Sequence, residues 1–438
     1  MSKPFRMKKG IFLLPALFIF LINAAQSQRP NIIYIMSDDM GYGDLSGYGR
    51  KEYTTPNLDK LASQGIKFVN AYSAAPVCTP TRAAFMTGRY PARTPVGLME
   101  PLTPTKRDST YGLSTAYPSI ATFMKAGGYE TALIGKWHLG FLPQYSPNQN
   151  GFDYFFGFHS GAADYISHKG DGGTSDLYEN DQPVHQEGYL TDLFAQKAVA
   201  FIKQKHGKPF FLTLTFNAPH WPWEGPTDKA YADSIDYRKG GSPAIYAAIM
   251  KSLDDAVGSI MKTLDDEQLS NQTIVIFTND NGGERYSDNG GLAKGKMSLW
   301  EGGIRVPAFV RWPGKIAAGI TTQQVAVTMD WTATILAAAS AKAHKDFPLD
   351  GIDLMPVCTG KGKIVERTIF WRTFQRSKQK AIRRGKWKYL QDEQGEYLFD
   401  LDADQGENND RKAKDAAVFN DLKQTYAQWE MGLLKPVL

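Results

Sequence analysis

Asn31-Ile32-Ile33-Tyr34-Ile35-Met36-Ser37-Asp38-Asp39 is the stretch from which the fold is read. Its apolar residues do not alternate with polar ones, which is the pattern of a parallel strand covered on both faces. The run ends directly on two carboxylates. The same succession recurs at Thr273-Ile274-Val275-Ile276-Phe277-Thr278, followed by Asn279-Asp280-Asn281-Gly282-Gly283. Around these strands, helical patterns over residues 57–65, 117–127, 192–206 and 244–264 alternate with apolar strand-like runs over 129–134 and 210–216. That alternation predicts an α/β fold: a large, mostly parallel sheet sandwiched by helices. Ligands of such sheets sit beyond the carboxyl ends of the strands. Two acidic clusters at two strand ends are therefore expected to meet around one hard cation, Ca²⁺ or Mg²⁺ rather than zinc. Taken singly, each cluster also reads as a polar loop capping a helix.

Further along the chain the pattern changes, at about residue 360. Short runs over 368–372, 380–383, 387–390 and 396–400 with hairpin-type breaks predict a small antiparallel sheet. A polar stretch and a helix over about 413–431 complete it. At the other end, Lys3, Arg6, Lys8 and Lys9 precede an apolar run from Ile11 to Ile22 and small polar residues up to Ser27. This is the pattern of a cleaved secretory leader, too short for a membrane span. The expected division is a leader over 1–27, a catalytic domain over 28–360 and a small C-terminal α+β subdomain over 361–438. Without its first 25 residues the chain carries 46 basic against 45 acidic side chains and has no long Lys/Arg run. That excludes nucleic acid as a partner. No later stretch is apolar enough for a membrane span, so the mature chain is expected to be soluble and exported, to the periplasm or secreted. The two cysteines, Cys78 and Cys358, exclude a disulfide framework. Cys358 is expected to pack as a small hydrophobe.

Cys78 stands in Ala75-Pro76-Val77-Cys78-Thr79-Pro80-Thr81-Arg82-Ala83-Ala84-Phe85-Met86-Thr87-Gly88. Thr79 is a good N-cap, Pro80 suits the first helical position, and Gly88 closes the helix. Cys78 is thus expected at the positive end of a helix, with Arg82 one turn on, where an anion is favoured. A buried thiol beside a surface Arg is the plainer reading of the same residues.

Cys78-Thr79-Pro80-Thr81-Arg82 resembles the Cys-x-Pro-x-Arg signature of the sulfatase family, whose cysteine is oxidised to formylglycine (3-oxoalanine) by a maturation enzyme. Gly135-Lys136-Trp137-His138-Leu139-Gly140 resembles the second signature of that family. Asp38-Asp39 and Asp280-Asn281-Gly282 are similar to its metal-ligand segments, and Pro219-His220 with Pro222 to its Pro-His-x-Pro loop. Lys296 is similar to the lysine that precedes its Trp-Glu-Gly-Gly segment. The segments keep the family's order over residues 30–310. Thr81 departs from the usual Ser or Ala, and Met297 stands where Gly commonly follows the lysine.

The resemblance implies an alkaline-phosphatase-like fold and a sulfuric ester hydrolase that cleaves R–O–SO₃⁻ to alcohol and sulfate. Such esters are inert, so a barrier reduction on the order of 20 kcal/mol is required. It implies one Ca²⁺ per chain held by Asp38, Asp39, Asp280, Asn281 and the modified Cys78. Arg82 would hold the hydrated formylglycine, and Lys136 and Lys296 would bridge sulfate oxygens. His220 or Lys296 would protonate the leaving alcohol, and His138 would act as the base. Lys136 and His138 are expected on the same side of one strand exit, being two residues apart. By position His159 and Ser160 become candidates for substrate contact, as do Trp221 and Trp223 beside His220, and Lys294 near Lys296. The expected partner is a sulfated sugar or polysaccharide fragment, with other sulfate esters open. A phosphonate or phosphate ester hydrolase of the same superfamily, and an unmodified sulfated-glycan-binding protein, are the alternatives.

Overall fold

The computed structural model describes residues 1, 29–106, 108–230 and 240–436. The expected leader, beyond its first residue, lies outside the described residues. The strands are β1 (Asn31–Ser37), β2 (Ile66–Phe68), β3 (Ala71–Tyr72), β4 (Glu130–Lys136), β5 (Tyr154–Phe158), β6 (Tyr178–Glu179), β7 (Gln182–Pro183), β8 (Phe210–Thr215), β9 (Thr273–Asn279), β10 (Ala308–Arg311), β11 (Ile320–Thr322), β12 (Ala326–Val327), β13 (Thr368–Thr373), β14 (Gln379–Arg384), β15 (Trp387–Gln391) and β16 (Glu396–Asp400). The helices are α1 (Pro56–Ser63), α2 (Cys78–Thr87), α3 (Ile120–Ala126), α4 (Leu190–Ile202), α5 (Pro243–Asp266), α6 (Glu301–Ile304), α7 (Thr328–Ala338), α8 (Met355–Cys358) and α9 (Ala416–Glu430).

Ten strands form one mixed sheet in the order β11-β2-β10-β9-β1-β8-β4-β5-β6-β7. Its centre, β9-β1-β8-β4-β5, is parallel throughout. β1 shows why its sequence lacks alternation. Ile33 and Ile35 pack with residues of α1, α4 and α5 on one face. Ile32, Tyr34 and Met36 pack with residues of α2, α3 and α7 on the other. Each such side chain taken out of water contributes roughly 1.5–3 kcal/mol, and here there is water on neither side. Cys358 lies in the second of these cores, as a small hydrophobe does. Both cysteines are free and buried.

β13 to β16 make a separate antiparallel sheet that does alternate. Ile382, Tyr389 and Leu398 face Leu422 and Tyr426 of α9. Ile369, Trp371, Ala381, Leu390 and Phe399 face Tyr72, Ala84, Leu299 and Ile304 of the main body. One boundary differs from expectation in a way that matters: α2 begins at Cys78 with Val77 as its N-cap, not at Thr79. The Thr79 hydroxyl is occupied elsewhere, accepting from Leu102 N (3.1 Å) and donating to His138 O (3.4 Å). Among the described residues no helix is long and apolar enough to cross a membrane.

Candidate active site

Register sets the floor of the site. β1 and β9 pair with Ser37 opposite Asn279, so Asp38 and Asp280 leave the sheet side by side. Asp39 N donates to Asp280 Oδ1 (3.2 Å), and Asn281 Nδ2 donates to Asp39 Oδ1 (2.7 Å). Ligand atoms of Asp38, Asp39, Cys78 and His220 all lie within 4.8 Å of one another. Asp38 Oδ1 and Asn281 Oδ1 are buried with no hydrogen-bond partner among the described residues. Buried acceptors are rarely left so, and oxygen donors around clustered carboxylates fit a hard cation such as Ca²⁺.

Cations interlace with these acids. Arg82 Nη2 lies 2.9 Å from Asp280 Oδ2 and 3.5 Å from Asp38 Oδ2, and its Nη1 donates to Lys136 O (3.2 Å). Lys136 Nζ donates to Asp38 Oδ2 (2.5 Å) and Lys296 Nζ to Asp39 Oδ2 (2.5 Å). Burial works against the charge on Arg82 and Lys296, but the neighbouring carboxylates outweigh it, and Lys296 is held well above the usual lysine range. Burial pushes the Cys78 thiol up to about 12 against the pull of Lys136 and Lys296. Residue 78 is a neutral thiol here, in a strongly charged setting.

Burial favours the neutral form of both site histidines. Burial holds His138 well below the usual range, and the charge of Lys136 adds to it. Burial does the same to His220 in spite of Asp39. His138 Nε2 lies 2.8 Å from Leu102 O, so that nitrogen carries the proton. Its Nδ1 is a buried lone pair without a partner among the described residues. His220 Nδ1 lies 2.6 Å from Trp221 O and carries its proton, leaving Nε2 to accept from Lys296 Nζ at 3.3 Å. The expected strand alternation is not what brings His138 here. β4 ends at Lys136, and His138 sits beyond it with φ 55°. The left-handed turn redirects the ring.

A pocket of about 400 Å³ opens over Cys78 and is lined by His138, His220, Trp221 and Lys296. Other candidates fall outside its lining. The backbone N–H groups of His159 and Ser160 donate to Asp176, as does the Ser160 hydroxyl, and the His159 ring packs on Tyr178. Lys294 pairs with Asp392 (3.3 Å) and lies over Trp300. Trp223 is buried against Tyr286. In their place the pocket takes Leu102, Gly161, Asp171, Glu284 and Arg376, none singled out from sequence. Burial and the Asp176 charge push Asp171 up to about 6. The first three stand in irregular stretches over 93–115 and 144–189 that are rich in Gly, Pro and aromatics, and loops of that length are usually functional. Glu284, three residues past Asn281, had a signal as well. Arg376 had none.

The Lys296 loop is held from the far side. Met297 has φ 71°, unusual for a residue with a side chain. Its N–H donates to Pro76 O (2.8 Å), and its carbonyl accepts from Gln379 Nε2 (3.0 Å). Gln379 Oε1 accepts from Leu299 N (2.7 Å). Lys388 Nζ pairs with Glu301 (2.9 Å) and Glu407 (2.8 Å), all three buried. Gly302 and Gly303 are bare because a Cβ would lie 2.3 Å from Lys294 O and 1.9 Å from Ser298 O, respectively. The loop thus lies backbone to backbone on α6, and α6 is fastened to the C-terminal sheet.

Comparison with known proteins agrees with this arrangement. The sequence pattern of the family described as Sulfatase matches residues 30–341. That of the N-sulphoglucosamine sulphohydrolase C-terminal region matches residues 294–431. N-acetylgalactosamine-6-sulfatase of Rattus norvegicus is 36% identical over 384 residues, covering 82% of this chain and 71% of the relative. Arylsulfatase A of Homo sapiens is 34% identical over 418 residues, covering 87% and 78%. The crystal structure of Ps i-CgsB in complex with k-i-k-neocarrahexaose superposes with a TM-score of 0.82 at 31% identity, covering 92% of this chain and 93% of that one.

Proposed function

The chain belongs to the sulfatase family, the sulfuric ester hydrolases, and on that premise we propose that it hydrolyses sulfate monoesters of a sugar or polysaccharide fragment after Cys78 has become formylglycine. The reading of the substrate is supported by the names of the similar proteins, several of which act on or were crystallised with sulfated sugars. The observation that carries the reading is the position of residue 78. It lies at the foot of an open pocket, among two lysines, an arginine and an acidic cluster with unpaired oxygens.

Asp38, Asp39, Asp280 and Asn281 would hold Ca²⁺, which supplies Lewis-acid charge for the sulfate oxygens and for residue 78. The aldehyde at residue 78 supplies, when hydrated, two hydroxyls on one carbon. Arg82, fixed on Asp280, offsets negative charge at that residue. Lys136 and Lys296 reach sulfate oxygens with donors already oriented by Asp38 and Asp39, so little reorganisation accompanies the reaction. His138 Nδ1 is the base that takes a proton from residue 78. Lys296 carries the proton nearest His220 Nε2, and this pair delivers a proton to the leaving oxygen. The enzyme is exported, to the periplasm or beyond, as the leader pattern of residues 1–27 suggests.

The test is the mass of the peptide containing Cys78 from protein made together with the maturation enzyme, with sulfate release assayed on the same preparation. A loss of about 18 Da with Ca²⁺-dependent sulfate release from sulfated sugars is the expected result. A plain thiol in a protein that nevertheless releases sulfate would overturn the assignment of residue 78.

A further inference from the structure

The cations in and beneath the pocket are mostly committed. Lys136 is bound to Asp38, Lys296 to Asp39, and Arg82 to Asp280. Arg376 also lines the pocket, yet it is exposed and has no hydrogen bond or ion pair among the described residues. It stands at the tip of the hairpin between β13 and β14. The neighbouring Lys378 is turned over the Phe374 ring, with 5.3 Å from its Nζ to the ring centroid.

The hairpin that presents Arg376 is anchored from both sides. Buried Glu100 accepts from Phe374 N (2.7 Å) and Gln375 N (2.9 Å), and its own N–H donates to Gln375 Oε1 (2.8 Å). Thr373 Oγ1 donates to Ser377 O (2.8 Å). The ordered turn fixes the backbone that presents the guanidinium, so binding an anion has to order the side chain but not the loop. A guanidinium matches sulfate or carboxylate with two parallel hydrogen bonds.

We propose that Arg376 is a specificity-determining residue that receives a second anionic group of the substrate, a further sulfate or a carboxylate on the glycan beyond the scissile ester. This rests on the sulfatase reading of the pocket. The enzyme accordingly prefers dianionic sugar sulfates to monoanionic ones.

The test has a binding arm and a turnover arm. Full-length protein with Cys78→Ala is titrated calorimetrically with a monosulfated disaccharide, a disulfated disaccharide and a monosulfated disaccharide bearing a uronate. Either dianionic ligand, or both, is expected to bind at least about tenfold more tightly than the monosulfated one. R376Q should erase that preference, R376K should keep part of it, and added salt should shrink it in the parent. Preference for the disulfated ligand alone identifies the second anion as sulfate, and preference for the uronate alone identifies it as carboxylate. In turnover by converted protein, the ratio of kcat/KM on the dianionic sugar to kcat/KM on 4-nitrophenyl sulfate should fall about tenfold in R376Q, mostly through KM. An equal ratio in parent and R376Q, in binding and turnover alike, overturns the proposal. If converted protein releases no sulfate from any ester, the sulfatase reading fails, and the binding arm still decides the role of Arg376.

Discussion

The two walls that meet over Cys78 are built differently. One is the ends of β1 and β9, where Asp38, Asp39, Asp280 and Asn281 follow their strands directly and register alone brings them together. The other is the Lys296 loop, which has no regular structure and is fixed by Pro76, α6 and the C-terminal sheet. The first wall supplies the chemistry and inherits its precision from the core. The second supplies a lysine whose aim depends on residues some eighty to a hundred positions away. Substitutions in the first should therefore stop the reaction, and substitutions behind the second should loosen the fold or blur the geometry.

The largest effect is expected at the junction of the walls. Cys78→Ala should lower turnover on the order of 10⁴-fold or more, as loss of the proposed nucleophile would, in a steady-state assay with thermal unfolding unchanged within a few degrees. Behind the second wall, Lys388→Met leaves Glu407 buried without its cation and Glu301 with Arg305 as its remaining ion-pair partner. A cost of about 3–5 kcal/mol is expected, read by denaturant unfolding. If Lys388→Met proved neutral, the C-terminal sheet would not be the fastening described.

The same trio gives a pH test. Lys388 and Arg305 outweigh burial and hold Glu301 down at about 2, whereas burial and the Glu301 charge push Glu407 up to about 7. A carboxyl whose folded pKa is raised binds its proton more tightly when folded. Its stabilisation is complete below about pH 4.5 and is lost as pH rises through about 7. Glu407→Gln removes that loss. The variant should be more stable than the parent at pH 8 by on the order of 2 kcal/mol and no more stable at pH 5. Melting curves at the two pH values check this, and the opposite order would mean Glu407 is ionised throughout.

Smaller effects belong to the loop itself. Gln379→Leu removes a donor to Met297 O and an acceptor of Leu299 N. A fall of roughly tenfold in kcat is expected from a misplaced Lys296, while affinity for the proposed cation, which would depend on the other wall, should not follow. Equal losses in both would merge the two walls into one unit. Met297→Gly relieves a left-handed backbone but frees the unfolded chain, so stability should change by about 1 kcal/mol or less.

This contrast also marks what was legible in the sequence. The apolar runs over residues 31–37 and 273–278 announced buried parallel strands, and their acidic tails announced the cluster, because covalent continuity fixes both. The four short C-terminal strands were visible as short runs separated by hairpin-type breaks. The wall of the pocket was less so. His159 and Ser160 looked suited to substrate, but Asp176 takes both backbone N–H groups. Lys294 was a candidate for substrate contact because it stands near Lys296, but Asp392 pairs with it. Arg376 and Gln379 carry no local signal, since their roles come from hairpin register and contacts across the chain. Pairing across long sequence separations is what a single sequence encodes least directly.

Fastening the Lys296 loop to the last sheet also orders events during synthesis. The ribosome releases Asp38, Asp39 and Cys78 some three hundred residues before Gln379 and Lys388. Until those late residues emerge, the acidic cluster and the thiol can exist, but the lysine facing them has nothing to hold it in place. A premature stop codon late in the reading frame would thus spare every signature motif and still leave a chain unable to turn over its substrate.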